Sequence, residues 1–169
     1  MNSEQLRSRQ APLKQHYRNV PAAAQVTARA EGTLEMDGIA CSIRTWKGAT
    51  EAGLHEAGGG NGEQACAADI MLQALVGCAG VTFASVATAM SVPIRGGRVL
   101  AEATWDARGT LGVDRTVPVG MTDLKLTFEI DSDAEPAKLA RVVELAERYC
   151  VVAQTLLNPP VITVEHTII

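Results

Sequence analysis

Ile70 to Met90 is an unbroken run without a charged side chain. Its apolar residues fall on every side of a helical wheel, so the pattern predicts a helix over Asp69–Met90 that is buried all round. Pro93 stops it. The run is long enough to raise a membrane span. Gln73, Gly77, Gly80, Thr82, Ser85 and Thr88 lower its hydrophobicity, and no other segment resembles it, so a central core helix is expected. A second helix is predicted over Pro136–Leu157. Leu139, Val142, Val143, Ala146, Cys150, Ala153 and Leu157 recur there at i, i+3, i+4, i+7 spacing. Asn158-Pro159-Pro160 ends it. Strand alternation is clearest at Met121–Asp131, where Leu124, Leu126, Phe128 and Ile130 alternate with Lys125, Thr127 and Glu129. Further strands are predicted at Gln25–Leu34, Ile39–Trp46, Arg98–Ala107 and Val161–Ile168. Asp37-Gly38 turns the first pair, since Gly accepts the positive φ of a tight turn. Lys47–Glu63, centred on Gly58-Gly59-Gly60-Asn61-Gly62, reads as a flexible loop. The order ββ-α-ββ-α-β predicts an α+β fold, with antiparallel sheets around two long core helices.

A chain of 169 residues suits one domain with a real core. Residues 25–169 are expected to form it. Residues 1–24 read as an N-terminal extension, helical in part, with Pro12 and Pro21 as breaks. The net charge of −4 and the lack of an obvious basic cluster argue against nucleic-acid and membrane partners. The first ten residues are polar, so no secretory signal is expected. Four cysteines then fit a reducing cytoplasm.

The candidate chemistry rests on Cys78 and Cys150, 72 positions apart and each in an apolar helical run. They are either small core residues or an attacking and a resolving thiol. If the two helices pack together the thiols can be neighbours, provided the Cα atoms come within roughly 7 Å. Reactivity demands a thiolate, and apolar burial opposes it. Cys78 lies too far along its helix for the N-terminal dipole to supply the charge. Arg29 and Arg44, on the early strands, are the candidate cations, or else plain surface residues. Cys41 and Cys66 are expected to pack. His16, His55 and His166 are scattered, so neither a metal site nor any other cofactor is expected. The glycines at 58–62 follow no strand and make no phosphate cradle. The apolar excess of the first long helix predicts a dimer.

Two segments carry a resemblance. They are Asp69-Ile70-Met71-Leu72-Gln73-Ala74-Leu75-Val76-Gly77-Cys78-Ala79-Gly80 and Ala146-Glu147-Arg148-Tyr149-Cys150-Val151-Val152-Ala153-Gln154-Thr155-Leu156. Both are similar to the OsmC/Ohr family, the osmotically inducible and organic hydroperoxide resistance proteins. The resemblance implies an OsmC-like α+β fold in an intertwined homodimer, with its active sites at the subunit interface. It implies a thiol-dependent peroxidase: Cys78 attacks an organic hydroperoxide, Cys150 resolves the sulfenic acid, and a dithiol reductant of lipoyl type or similar restores both thiols. The peroxidase branch has a glutamate ten positions before the first cysteine, where this chain has Ala68. The family arginine falls where this chain reads Glu31-Gly32-Thr33. Asp69 reads as a helix N-cap, on the side of the helix opposite Cys78. These departures leave a second expectation, a non-catalytic small-molecule binding protein with an apolar interface pocket.

Overall fold

The computed structural model describes residues 1–168, in two compact units. The first unit contains Met1–Gln73 and Leu100–Thr127. The second contains Ala74–Val99 and the chain from Phe128 on. The fold is α+β, with two small sheets and five α-helices among the described residues.

The first unit opens with helix α1, Ser3–Asn19. Asn2 caps it: its side chain accepts from the Gln5 amide at 2.9 Å, and the Gln5 side chain accepts from the Asn2 amide at 3.0 Å. Pro12 sits inside α1 without ending it, contrary to the break expected there. Pro21 opens a 3₁₀ turn, Pro21–Ala24. The sheet runs β1 (Gly32–Glu35), β2 (Ala40–Thr45), β3 (Gly48–Gly53) and β4 (Ala65–Cys66), in that order. β1–β2 and β2–β3 are antiparallel, with Leu34 opposite Cys41 and Cys41 opposite Ala52. β3–β4 is parallel, with Gly53 opposite Cys66. Two expectations are corrected here. Gln25–Ala30 is not strand, so β1 is only the end of the predicted segment. β3 occupies part of the predicted loop. Its sequence, Gly-Ala-Thr-Glu-Ala-Gly, has no large apolar residue to display alternation. The rest of that loop is folded rather than slack. A Cβ on Gly60 would lie 1.8 Å from the Leu54 carbonyl oxygen, so only glycine fits. Residues of β5 (Gly96–Thr104) and β6 (Thr122–Asp131) from position 100 to 127 also belong to this unit. So does the short helix α3 (Ala107–Thr110), capped by Asp106 on the Arg108 amide at 2.9 Å.

The second unit holds most of helix α2 (Ala67–Ala89), together with α4 (Pro136–Tyr149) and α5 (Val151–Leu157). Its core is Phe83, Ala87, Val92, Val142 and Ala146. The Phe83 ring stacks on Phe128 of β6, with centroids 5.3 Å apart. β5 and β6 pair with each other. In this unit the Arg95 amide donates to the Asp131 carbonyl at 2.9 Å, and the Arg98 guanidinium grips Glu129 at 2.5 Å. By length and composition α2 could cross a membrane, with a mean hydropathy of 1.8 over its most apolar window. Its buried residues Leu75, Ala79, Phe83 and Ala87 instead run as a stripe, and the last two sit in this core.

Two further corrections fall in this unit. The predicted helix Pro136–Leu157 is broken at Cys150, whose backbone is extended at φ −74°, ψ 109°. The β-branched pair Val151-Val152 follows immediately and favours a restart over unbroken propagation. The Glu147 carbonyl accepts from the Cys150 amide at 3.3 Å and from the Gln154 side-chain amide at 3.1 Å, which stabilises the break. Val161–Ile168, expected as a closing strand, forms no strand and is exposed throughout. Among the described residues its alternating side chains lie against no sheet, and Val161 is 95% accessible.

Candidate thiol site

Cys78 projects from the middle of α2, half-buried. Cys150 is fully buried at 0% accessibility in the break between α4 and α5. It therefore does not ride a continuous helical stripe. Its sulfur acts as the N-cap of α5, accepting from the Ala153 amide at 3.4 Å. The break brings two parts of the second unit together. Beside Cys78 lie the Cys150 thiol and the first amides of α5, those of Val151 and Val152. These amides have no partner within their helix. Both cysteines are free thiols.

The two thiols are driven in opposite directions. Burial pushes Cys78 up, but the Val152 amide, the Cys150 thiol and the Val151 amide together outweigh it and hold Cys78 below a thiol's ordinary value. The Thr82 hydroxyl adds least, since its single proton goes to the Cys78 carbonyl at 2.8 Å. Cys150 is pushed above the ordinary value, first by its own burial. The Ala153 amide opposes that, and the neighbouring Cys78 adds to it. Hydrogen bonds to the charged form favour it, while desolvation disfavours it, and here each dominates at one sulfur. The arrangement favours charge on Cys78 over charge on Cys150.

A shallow cleft of about 480 Å³ opens at Cys150, lined also by Arg148, Tyr149, Val151, Gln154 and Thr155. Arg148 is a cation that the sequence analysis did not single out. It lies over the Tyr149 ring, 5.8 Å from the centroid. Only its place two residues before Cys150 could have flagged it. The candidates that were singled out belong to the first unit. Arg44 pairs with Glu31 at 3.5 Å on the exposed sheet, and Arg29 lies in an irregular stretch before β1. No cation is among the groups that shift Cys78, among the described residues. Asp69 does not cap α2. The helix begins at Ala67, which places Asp69 in its first turn. Cys41 and Cys66 lie half-buried on β2 and β4. Cys41 packs where Gly32 leaves room, since a Cβ there would come within 2.6 Å of its sulfur. His55 accepts from the Ala57 amide and meets Trp105 edge to face at 5.2 Å, a packing role. A separate apolar crevice of about 400 Å³, lined by Val76, Phe83, Val99 and Phe128 among others, contains neither thiol.

The family model for OsmC-like protein matches residues 60–165, well over half of the chain and inclusive of both thiols. The chain belongs to the OsmC-like family. Solved structures agree on the fold. The OsmC-like protein of Mycoplasma pneumoniae is 14% identical over 80% of this chain and 90% of its own, with a TM-score of 0.66. An OsmC-like protein of Vibrio cholerae is 13% identical over 78% and 94%, with a TM-score of 0.58. An organic hydroperoxide resistance protein OsmC of Legionella pneumophila is 10% identical over 78% and 91%, with a TM-score of 0.57. No curated protein matches this OsmC-like chain in sequence. α1 lies outside the matched span, so the family accounts for the thiol helices but not for that helix.

Proposed function

We propose that this protein is a thiol-dependent peroxidase that reduces organic hydroperoxides. Cys78 is the attacking thiolate and Cys150 the resolving thiol. The observation that carries the reading is the pair itself: two neighbouring free thiols, one pushed down and one pushed up. Environments that push two titratable groups apart divide them between nucleophile and proton donor. The family and the Legionella relative's name point the same way.

The cycle balances in three steps. The Cys78 thiolate attacks the distal peroxide oxygen, and the O–O bond breaks. Cys78 becomes a sulfenic acid, and the alkoxide takes a proton and leaves as the alcohol. The Cys150 sulfur then attacks Cys78. A disulfide forms, and the sulfenic oxygen leaves as water with the Cys150 proton. An external dithiol of lipoyl type or similar finally exchanges with the disulfide, closing its own disulfide and restoring both thiols. Arg148 supplies a positive charge beside Cys150, in a cleft that the two residues line together. A purely packing or ligand-lining role gives no reason for the opposed thiols.

The working unit is a homodimer in this reading. Val81, Tyr149, Val151 and Leu157 are each more than half accessible near the thiols, and apolar surface of that kind marks an interface. Residues 25–169 form the OsmC-like domain and residues 1–24 an addition to it. The dithiol cycle fits a reducing cytoplasm. Sedimentation at micromolar protein is expected to give the dimer mass; a monomer would remove the dimer from the account.

Turnover tests the function. Reduced protein, a dithiol and an organic hydroperoxide such as cumene hydroperoxide are expected to give continuous peroxide loss. Cys78→Ser abolishes it. With the dithiol left out, Cys150→Ser consumes one peroxide per chain and leaves Cys78 as a sulfenic acid instead of a disulfide. Peroxide loss that survives Cys78→Ser, or none in the native protein, sinks the proposal.

A further inference from the structure

We propose that Gln154 is a positioning residue for Cys78: its side chain fastens α5 to the end of α4 at the angle that aims the first α5 amides at the Cys78 sulfur. The inference deepens the peroxidase reading and rests on it for the role of Cys78 as the attacking thiol. The break leaves α4 and α5 joined by the single residue Cys150. Gln154 stands in the first turns of α5, and its Nε2 donates to the Glu147 carbonyl, seven positions back in α4, at 3.1 Å. Two backbone bonds also form at the junction. The Cys150 amide donates to the same carbonyl at 3.3 Å, and the Gln154 amide donates to the Cys150 carbonyl at 2.9 Å. Both run through Cys150 itself, so they leave its φ and ψ to set the angle between the helices. Among the described residues, the Gln154 side chain makes the one hydrogen bond that joins α4 directly to α5. The Glu147 oxygen has two lone pairs, so it accepts from both donors.

α5 needs such a tie. It is seven residues long, too short to hold itself as a helix, and Ala153 alone of its residues is buried. Its orientation matters because the Val151 and Val152 amides lie beside Cys78. Hydrogen bonds weaken steeply as they bend or lengthen, so a swing of α5 removes both amides together. Gln154 is not itself among the groups that act on the Cys78 thiol. It therefore acts through the two amides, as a positioning residue and not a catalytic one.

The test follows Cys78 in the reduced full chain without peroxide, by the pH dependence of iodoacetamide labelling read by peptide mass spectrometry. Gln154→Met keeps the side chain's length and removes its donor. The Cys78 profile is expected to move to higher pH, because fewer amides then favour the charged sulfur. Gln154→Asn keeps the amide but falls one methylene short, and is expected to shift the profile in the same direction. Ser132→Ala is the control. It removes the bonds to the Pro93 carbonyl and from the Ala134 amide, ahead of the opposite end of α4, and is expected to leave the profile in place. An unshifted profile in both Gln154 variants with native circular dichroism overturns the proposal, and so does an equal shift in Ser132→Ala. Single-turnover rates with an organic hydroperoxide add a second readout. Gln154→Met is expected to lag the native protein at acid pH and to match it at alkaline pH, where Cys78 is ionised in both. A deficit that is equal at every pH overturns the positioning role. The two readings fail separately. A shifted labelling profile in a protein that does not turn over upholds the positioning role and removes the peroxidase; turnover with an unshifted profile does the reverse.

Discussion

At the scale of single residues, the site depends on an asymmetry between two sulfurs. Cys78 is half-buried and lies beside unspent backbone amides; Cys150 is sealed from solvent and caps a helix. Only the thiolate is alkylated, so each labelling rate rises with pH through that thiol's own pKa. The Cys78 profile is expected to turn up at lower pH than an ordinary thiol, and the Cys150 profile at higher pH. At neutral pH iodoacetamide therefore labels Cys78 first, as read by mass spectrometry of the peptides. Coincident profiles, or Cys150 leading, would remove the attacking and resolving assignment. The identity of the two cysteines was legible in the sequence, because both stood in apolar helical runs inside segments similar to one family. Arg148 was not. Exposed and two residues before Cys150, it becomes notable only when the cleft is seen.

At the scale of elements, the break at Cys150 is the decisive feature. Had Pro136–Leu157 been one helix, the Val151 and Val152 amides would have been consumed by i→i−4 bonds. The break frees them for Cys78. Periodicity could not reveal it, because the apolar spacing continues in phase from Ala146 through Cys150 to Ala153. Periodicity places α2, β2, β5 and β6 within a few residues, and gives the outer bounds of α4 and α5 as if they were one helix. β3 and β4 lacked large apolar side chains, and Val161–Ile168 has the alternation of a strand but no neighbour to pair with. Val151→Pro tests the role of the break. Val151 opens α5, where proline is tolerated, and Cys150 already has the extended backbone a preceding residue needs. The substitution removes one amide and keeps the helix. The loss of one hydrogen bond to a charged sulfur is expected to raise the Cys78 pKa. An unchanged Cys78 titration in a variant with native circular dichroism would show that the amides do not activate it.

At the scale of the whole molecule, the proposed thiol pair lies in the second unit, while Cys41 and Cys66 sit on the sheet of the first. The departures at Ala68 and at Glu31-Gly32-Thr33 remove the charged pair the family resemblance had led one to expect. The amides at the start of α5 lower the Cys78 pKa without a cation. The most direct measurement is a peptide map of the reduced protein after one equivalent of organic hydroperoxide, with free thiols blocked in acid. The account predicts one new disulfide, Cys78–Cys150, with Cys41 and Cys66 recovered as thiols. A map with no disulfide, or with Cys41 or Cys66 in it, would contradict the account.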